Sequence, residues 1–251
     1  MRYADVVARL RGAGCVFAED EATLLLDVTD QDLESLVARR VAGEPLEQVV
    51  GWAQFAGLRI LLDPGVFVPR RRTELLARRA AALASPGDVV IDLCCGSGAI
   101  SALVRAVVPS VQLHAVDRDA RAVACARRNL GDVVHQGDLY DALSPGLRGR
   151  VDVLVANAPY VPSEEIALMP PEARHHEPQE TLDGGPDGLD VLRRVIAGAP
   201  DWLASGGWLL FEVGVPQIGT AEEFCRQVDL VTTVAREEQL GATVVIAQRA
   251  P

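Results

Sequence analysis

The chain has 251 residues, of which 49% are hydrophobic and 24% charged, with a formal net charge of -11. That composition supports one sizeable core plus a small accessory unit, and no stretch approaches the roughly 18 uninterrupted apolar residues of a membrane span. The acidic balance argues against a partner held mainly through phosphates, and an odd count of five cysteines with no Cys-x-x-Cys pair argues against zinc or a secreted disulfide framework. Met1-Arg2-Tyr3-Ala4-Asp5 lacks the apolar core of a signal peptide, so the expectation is a soluble cytoplasmic protein with free thiols.

Val6, Val7 and Leu10, and then Leu33, Leu36 and Val37, recur at helical spacing, with Asp30 placed to cap the second set. Residues 1–42 therefore read as a small helical domain. In residues 43–68, Gly51 and Gly57 punctuate apolar runs at Gly43–Gly51 and Phe55–Leu62, which predicts a linking β-hairpin, and Pro64-Gly65 turns the chain after it. Val66–Arg70 leads into a helix from about Thr73, where Thr73 and Glu74 are suited to the first turn. Residues 69–251 form the main domain.

Its first strand is the apolar run Asp88–Leu93, suited to the middle of a parallel sheet. It ends in Cys94-Cys95-Gly96-Ser97-Gly98 and is followed by a helix over Ala99–Val107, the order in which α/β proteins bring a ligand to backbone amides at a helix start. The adjacent Cys94 and Cys95 read as small apolar residues of a tight turn rather than as a redox pair. A second strand, Val111–Val116, ends at Asp117, where a carboxylate is placed to take two ribose hydroxyls. After a helix over Arg121–Leu130 and a strand over Asp132–His135 comes Gly137-Asp138-Leu139-Tyr140. There a carboxylate and an apolar side chain could hold the edge and face of an adenine; Asp138 fits a turn equally well.

The next strand, Val153–Ala156, runs into Asn157-Ala158-Pro159-Tyr160. An Asn side-chain oxygen and the following carbonyl can each accept one hydrogen of an NH2 group while a flat ring covers its plane. From Tyr160 to about Gly188 the sequence is loop-like, with Pro162, Pro170, Pro171, Pro178 and Pro186, and reads as a lid. Helix Leu189–Ala199, strand Trp208–Glu212, helix Gln217–Val228 and strands Leu230–Val234 and Thr243–Gln248 complete the sheet, the last two as a hairpin-like pair.

Asp92-Leu93-x-x-Gly96-Ser97-Gly98, Asp117, Gly137-Asp138 and Asn157-x-Pro159-Tyr160 together resemble a class I S-adenosylmethionine-dependent methyltransferase acting on an amide or amino nitrogen. Further signatures, Gly43-Glu44-Pro45-Leu46, Gly51, Phe55, Pro69-Arg70-x-x-Thr73-Glu74, Glu177-Pro178, Gly184-Gly185-x-Asp187-Gly188-Leu189 and Glu212-x-Gly214-x-x-Gln217, resemble the HemK/PrmC-type protein-glutamine methyltransferases. Those enzymes modify the Gly-Gly-Gln loop of peptide-chain release factors. The resemblance runs from roughly residue 36 to the end. It departs from the usual pattern at Ala158, where the family has proline, at Cys94, where it has glycine, at Leu139, where an aromatic is common, and in a short amino-terminal domain. These departures mark a divergent paralogue.

The resemblance implies a Rossmann-like, doubly wound, mostly parallel seven-stranded sheet and S-adenosylmethionine as cofactor, lying over Cys94 to Gly98. Asp117 would serve its ribose and Asp138 and Leu139 its adenine, with Phe67, Arg70, Thr73 and Asn157 also on the cofactor. Asn157, Ala158, Pro159 and Tyr160 would hold the acceptor amide of a release factor or another glutamine-bearing protein, docked on the helical domain. No metal is needed, and His175-His176, unsupported by other ligand spacing, reads as surface. Glu212 and Gln217 read as supports near a strand end. The rivals are a methyltransferase acting on a small-molecule nitrogen, an adenine methyltransferase of nucleic acid, disfavoured by the acidic charge, and a non-catalytic binding protein on the same scaffold.

Overall fold

A computed structural model describes residues 1–28 and 30–251. Helices α1 (Tyr3–Gly12), α2 (Ala18–Leu26) and α3 (Leu33–Val41) pack through Val6, Leu10, Ala22, Leu25, Leu36 and Val37. The cap of α3 is Asp32, whose side chain accepts the Ser35 N–H at 3.0 Å, and not Asp30 as the sequence predicts. Asp32 lies three residues before that N–H, the spacing a capping carboxylate needs. The stretch expected to open the hairpin is instead a short helix, α4 (Leu46–Val50), ended by Gly51 at φ 81°. Its Val49 and Val50 complete the apolar cluster of the first three helices.

The hairpin proper is β1 (Trp52–Phe55) and β2 (Leu58–Leu61), joined by Ala56 and Gly57 at φ 49° and 86°. Two left-handed residues are what a two-residue hairpin turn requires. Helix α5 (Thr73–Leu83) follows as expected, but neither Thr73 nor Glu74 caps it. Glu74 reaches back to accept the Ala56 N–H at 3.1 Å, fastening the hairpin turn to the helix.

The main sheet has seven strands in the order β5-β4-β3-β6-β7-β9-β8. Strand β3 (Val89–Leu93) is followed by α6 (Ala99–Val107), β4 (Gln112–Asp117), α7 (Ala120–Leu130) and β5 (Val134–Gln136), then β6 (Val151–Ala156). A six-residue helix α8 (Pro171–His176) lies within the expected lid; α9 (Asp190–Trp202), β7 (Leu203–Glu212), α10 (Ile218–Gln227), β8 (Leu230–Glu237) and β9 (Ala242–Arg249) complete the chain. Strands β3 to β7 are parallel, and β9 runs antiparallel between β7 and β8. Strand β7 starts earlier than predicted because Leu203 pairs with Val151 ahead of an irregularity, with regular pairing resuming at Val153↔Trp208.

Alternation along β6 builds both faces of the core. Leu154 and Ala156 join Ile91, Leu93, Phe211 and the apolar sides of α9 and α10, while Val153 and Val155 join Val90, Leu210 and those of α5 and α6. Every residue of β3 is buried, as expected for a strand covered on both sides. From β3 the chain builds outward through β4 and β5, then returns to add β6 on the other flank. That reversal opens a crevice beyond the carboxyl ends of β3 and β6. Among the described residues, no helix is long and apolar enough to cross a membrane.

Candidate functional site

A cavity of about 710 Å³ occupies this crevice. Phe67, Arg70, Thr73, Cys94, Cys95, Gly96, Ser97, Asp117, Asp138, Leu139 and the whole Asn157–Tyr160 turn line it. Gly98, expected with them, does not. It sits behind the turn at φ 81°, where an added Cβ would come within 2.5 Å of Leu130 Cδ1, so this glycine admits α7 rather than a ligand. Gly96, at φ 55°, faces open space.

The turn after β3 is held from two sides. Asp117, one strand over, accepts the Gly96 N–H at 2.9 Å and the Asp119 N–H at 3.0 Å. Asn129 of α7 donates to the Ser97 carbonyl at 2.9 Å and brackets Leu61 of the hairpin through both its N–H and its carbonyl. Burial pushes the Asp117 carboxyl above its usual range. Alanine at position 117 removes the acceptor that fixes the Gly96 N–H and a carboxylate from the cavity wall, and should weaken S-adenosylmethionine binding by about 1.5–3 kcal/mol, the usual worth of hydrogen bonds to a charged group. Calorimetric titration with S-adenosylmethionine checks this, and undiminished affinity would remove Asp117 from the binding site.

Cys94 and Leu139 both adopt the left-handed region, at φ 59° and 50°. Non-glycine residues pay for that conformation, and such strain collects at ligand sites. Burial pushes the Cys94 and Cys95 thiols well up, so neither is a thiolate and the pair lacks the activation that redox cysteines need.

Beneath the turn, Asp92 is fully buried. Its Oδ2 accepts the Ser101 N–H at 3.2 Å and the Ser101 hydroxyl at 2.7 Å, while Oδ1 has no partner. Burial pushes this carboxyl up to about 7, against the two Ser101 bonds and with a smaller contribution from the Asp117 charge. A carboxyl raised in the folded state stabilises the fold at low pH and loses that contribution as pH rises from the ordinary carboxylate range through about 7. Asp92→Asn does not titrate. Its stability relative to wild type should therefore rise between about pH 5 and 7, by up to about 1.4 kcal/mol per unit, and level off above. Urea denaturation of both proteins across that range checks the slope.

On the opposite wall stands the turn after β6. Asn157 points its Nδ2 towards Thr73 Oγ1, a long contact of 3.5 Å, and its buried Oδ1 has no partner. Thr73, expected on the cofactor, lines the cavity and lies against the Asn157 amide. The Tyr160 hydroxyl donates to Glu212, which also receives Arg72 Nε at 2.9 Å, and the Arg72 guanidinium lies 5.5 Å from the Tyr160 ring centre. Burial, reinforced by the Glu212 charge, raises the Tyr160 phenol well above its normal value, so it remains a neutral donor.

Gln217 fixes the turn from behind. Its Nε2 donates to the Tyr160 carbonyl at 2.8 Å and the Asp187 carbonyl at 2.9 Å, and its Oε1 accepts the Gly214 N–H at 2.8 Å. It is therefore the strand-end support that the sequence suggested.

At the cavity mouth Arg70 lies 4.7 Å over the Phe67 ring and pairs with Glu177, whose other oxygen accepts the Val68 N–H at 3.0 Å. The prolyl segment 161–188 thereby joins the cavity wall. It is also tied to the helical region, since Arg40 of α3 pairs with both Glu21 and Glu172 of α8. Asp138 lines the cavity, yet Arg194 of α9 holds both of its oxygens, at 2.8 and 3.2 Å. Among the described residues no group of three or more His, Cys, Asp or Glu could hold a metal.

Sequence reasoning missed Arg72, Asn129, Arg194 and the cavity-facing position of Glu212. The only signals were the run Arg70-Arg71-Arg72 and the motif Glu212-x-Gly214-x-x-Gln217, which give no indication of what those side chains face.

A family model described as the Methyltransferase small domain matches residues 57–172. A release factor glutamine methyltransferase from Streptomyces coelicolor is 41% identical over 196 residues, 74% of this chain and 69% of that protein. A 4-amino-L-phenylalanine/4-methylamino-L-phenylalanine methyltransferase from Streptomyces pristinaespiralis is 38% identical over 200 residues, 76% of this chain and 68% of that one. Matches to such relatives span between 62% and 86% of their own lengths. In structure, a methyltransferase from Pyrococcus furiosus aligns with a TM-score of 0.59 at 16% identity, over 85% of this chain and 98% of that one, which shows a shared fold.

Proposed function

Because the chain belongs to the release factor glutamine methyltransferase family, we propose that it methylates the side-chain amide nitrogen of the glutamine in the Gly-Gly-Gln loop of a peptide-chain release factor. The observation that carries the reading is Asn157 Oδ1, a buried acceptor without a partner at the carboxyl end of β6. A buried acceptor is costly when unpaired, so this one is complementary to an N–H that arrives with the substrate.

The residues present also fit S-adenosylmethionine. Gly96 leaves open space where a side chain would stand, Asp117 lies on the wall for ribose hydroxyls, and the nearby acidic groups suit a cation. Cys94 to Ser97, Asp117, Asp138 and Leu139 would hold it. The cofactor would supply a methyl group on a sulfonium that leaves as a neutral thioether; the methylated nitrogen then gives up one of its protons to water, so neither a metal nor a strong base is required.

An amide nitrogen is a weak nucleophile because its lone pair is delocalised into the carbonyl. The contribution of this chain is therefore orientation. Asn157 Oδ1 and the Ala158 carbonyl would each accept one N–H, the Tyr160 ring would cover the amide plane, and Gln217 and Thr73 keep the turn and the Asn157 amide in place. The helical region, residues 1–42, would dock the protein substrate, with Arg40 linking it to the segment beside the cavity.

A second reading is methylation of an amino group on a small molecule. Two observations favour it: Ala158 stands where the family's turn has a rigidifying proline, and the relative named for 4-amino-L-phenylalanine, at 38% identity, falls within the 32–41% of the release factor enzymes. Peptide mass spectrometry of purified release factor incubated with the protein and S-adenosylmethionine tests the choice. One added methyl on the Gly-Gly-Gln glutamine is expected. No addition to release factor, with transfer to 4-amino-L-phenylalanine, would establish the second reading instead.

A further inference from the structure

Three buried side-chain polar atoms lack partners among the described residues: Asp92 Oδ1, Asn157 Oδ1 and Glu212 Oε2. All three are acceptors, and Asn157 and Glu212 line the cavity. Ala156 pairs with Phe211, and the two cavity residues follow directly on that pair, Asn157 just past the end of β6 and Glu212 as the last residue of β7.

Glu212 is 1% exposed, and its Oε1 is already committed to the Tyr160 hydroxyl and Arg72 Nε. Those two donors fix the carboxylate and offset its charge. They leave Oε2 a buried acceptor without a partner, on a residue that lines the cavity together with Asn157. A buried carboxylate oxygen left without a donor is costly, so Oε2 is complementary to an N–H or O–H that arrives with a ligand.

We propose that Glu212 Oε2 is a second recognition point for the methyl acceptor, accepting a hydrogen bond from an N–H group distinct from the nitrogen that is methylated. The inference rests on the acceptor reading above and specifies the acceptor's chemistry: it must carry two N–H-bearing groups joined by a short carbon stem. A glutamine residue meets this requirement with its side-chain amide and its own main-chain N–H. An amino acid bearing an aromatic amine meets it with its α-ammonium. Glu212 would thus exclude acceptors that present a lone amide or amine.

The test removes the hydrogen bond from each side in turn. Steady-state kinetics are measured for wild type and Glu212→Gln, which keeps an oxygen for Arg72 and Tyr160 but turns the other atom into a donor. The acceptors are a Gly-Gly-Gln peptide, the same peptide N-methylated at the glutamine main-chain nitrogen, 4-amino-L-phenylalanine, and 3-(4-aminophenyl)propanoate, which lacks the α-ammonium. For the acceptor that wild type methylates, Glu212→Gln and the missing N–H should each lower kcat/KM by about tenfold or more, mainly through KM. Together they should cost little more than either alone, as expected for partners in one bond.

Calorimetry should show S-adenosylmethionine affinity within a few-fold of wild type in the variant, and weaker acceptor binding in the presence of S-adenosylhomocysteine. Whichever acceptor pair responds identifies the N–H as main-chain amide or ammonium. Wild-type turnover that is indifferent to loss of the N–H overturns the inference while the proposed function stands, and that arm does not depend on how the variant folds. Fully additive losses overturn it as well. Absence of wild-type turnover on every acceptor overturns the proposed function and the inference together.

Discussion

Replacing Asn157 by alanine should lower methyl transfer by roughly 100- to 1,000-fold, the usual cost of removing one preorganised polar group from a transition-state site. S-adenosylmethionine affinity should stay within a few-fold. The asymmetry follows from the position of Asn157. Its amide nitrogen leans towards Thr73, its oxygen is the unpaired acceptor, and the glycine turn that would carry the cofactor is held separately by Asp117 and Asn129. Single-turnover rates with saturating acceptor, paired with calorimetry, separate the two effects. Unchanged turnover would remove the Asn157–Tyr160 turn from the chemistry altogether. A matching loss of cofactor affinity would instead place Asn157 on the cofactor.

Gly188→Ala should be the most damaging change to the fold around the site, costing about 3–5 kcal/mol. Gly188 sits at φ 77°, where a side chain is strained by about 1–2 kcal/mol. An added Cβ would also lie 2.3 Å from both Gln217 Nε2 and the Tyr160 carbonyl oxygen. Relief of that clash breaks the bonds from Gln217 to the Tyr160 and Asp187 carbonyls, and unpaired buried carbonyls add about 1–3 kcal/mol. Such a loss is a large share of a typical folding free energy of about 5–15 kcal/mol. Because the Tyr160 carbonyl belongs to the Asn157–Tyr160 turn of the cavity wall, the surviving folded protein should also methylate poorly. Thermal unfolding should show a melting temperature lower by roughly 6–20 °C. Gly219→Ala is the control: Gly219 lies in α10 with open space around it, and alanine there should be neutral or stabilising by up to about 1 kcal/mol. Equal behaviour of the two variants would refute the clamp.

Local signals in this chain carried far. The apolar runs at β3 and β6 read as central strands because both faces of each strand are covered, and those runs are buried. The strand, glycine turn and helix around residues 89–107 were legible because turn and helix chemistry act over a few residues. Errors arose where a local reading competed with packing. Leu46–Val50 has the apolar content of a strand but buries Val49 and Val50 against the first helices, so it winds into α4. Thr73 and Glu74 have the chemistry of caps, yet each is taken up by a more distant partner, Asn157 and the hairpin turn respectively.

The sequence by itself determined the family and the fold: a doubly wound sheet whose strand-end turns at Cys94–Ser97 and Asn157–Tyr160 line one crevice. Tertiary structure alone decided which charges stand around that crevice. Arg72 meets Glu212 across 140 residues of sequence, Arg70 meets Glu177 across 107, and Asn157 meets Thr73 across 84. A side chain's partner at such separations is set by strand order and register, not by its neighbours in the chain. Glu212 faces the cavity because β7 packs beside β6 with Phe211 opposite Ala156. Its second oxygen is unpaired because Tyr160 and Arg72 both reach the first.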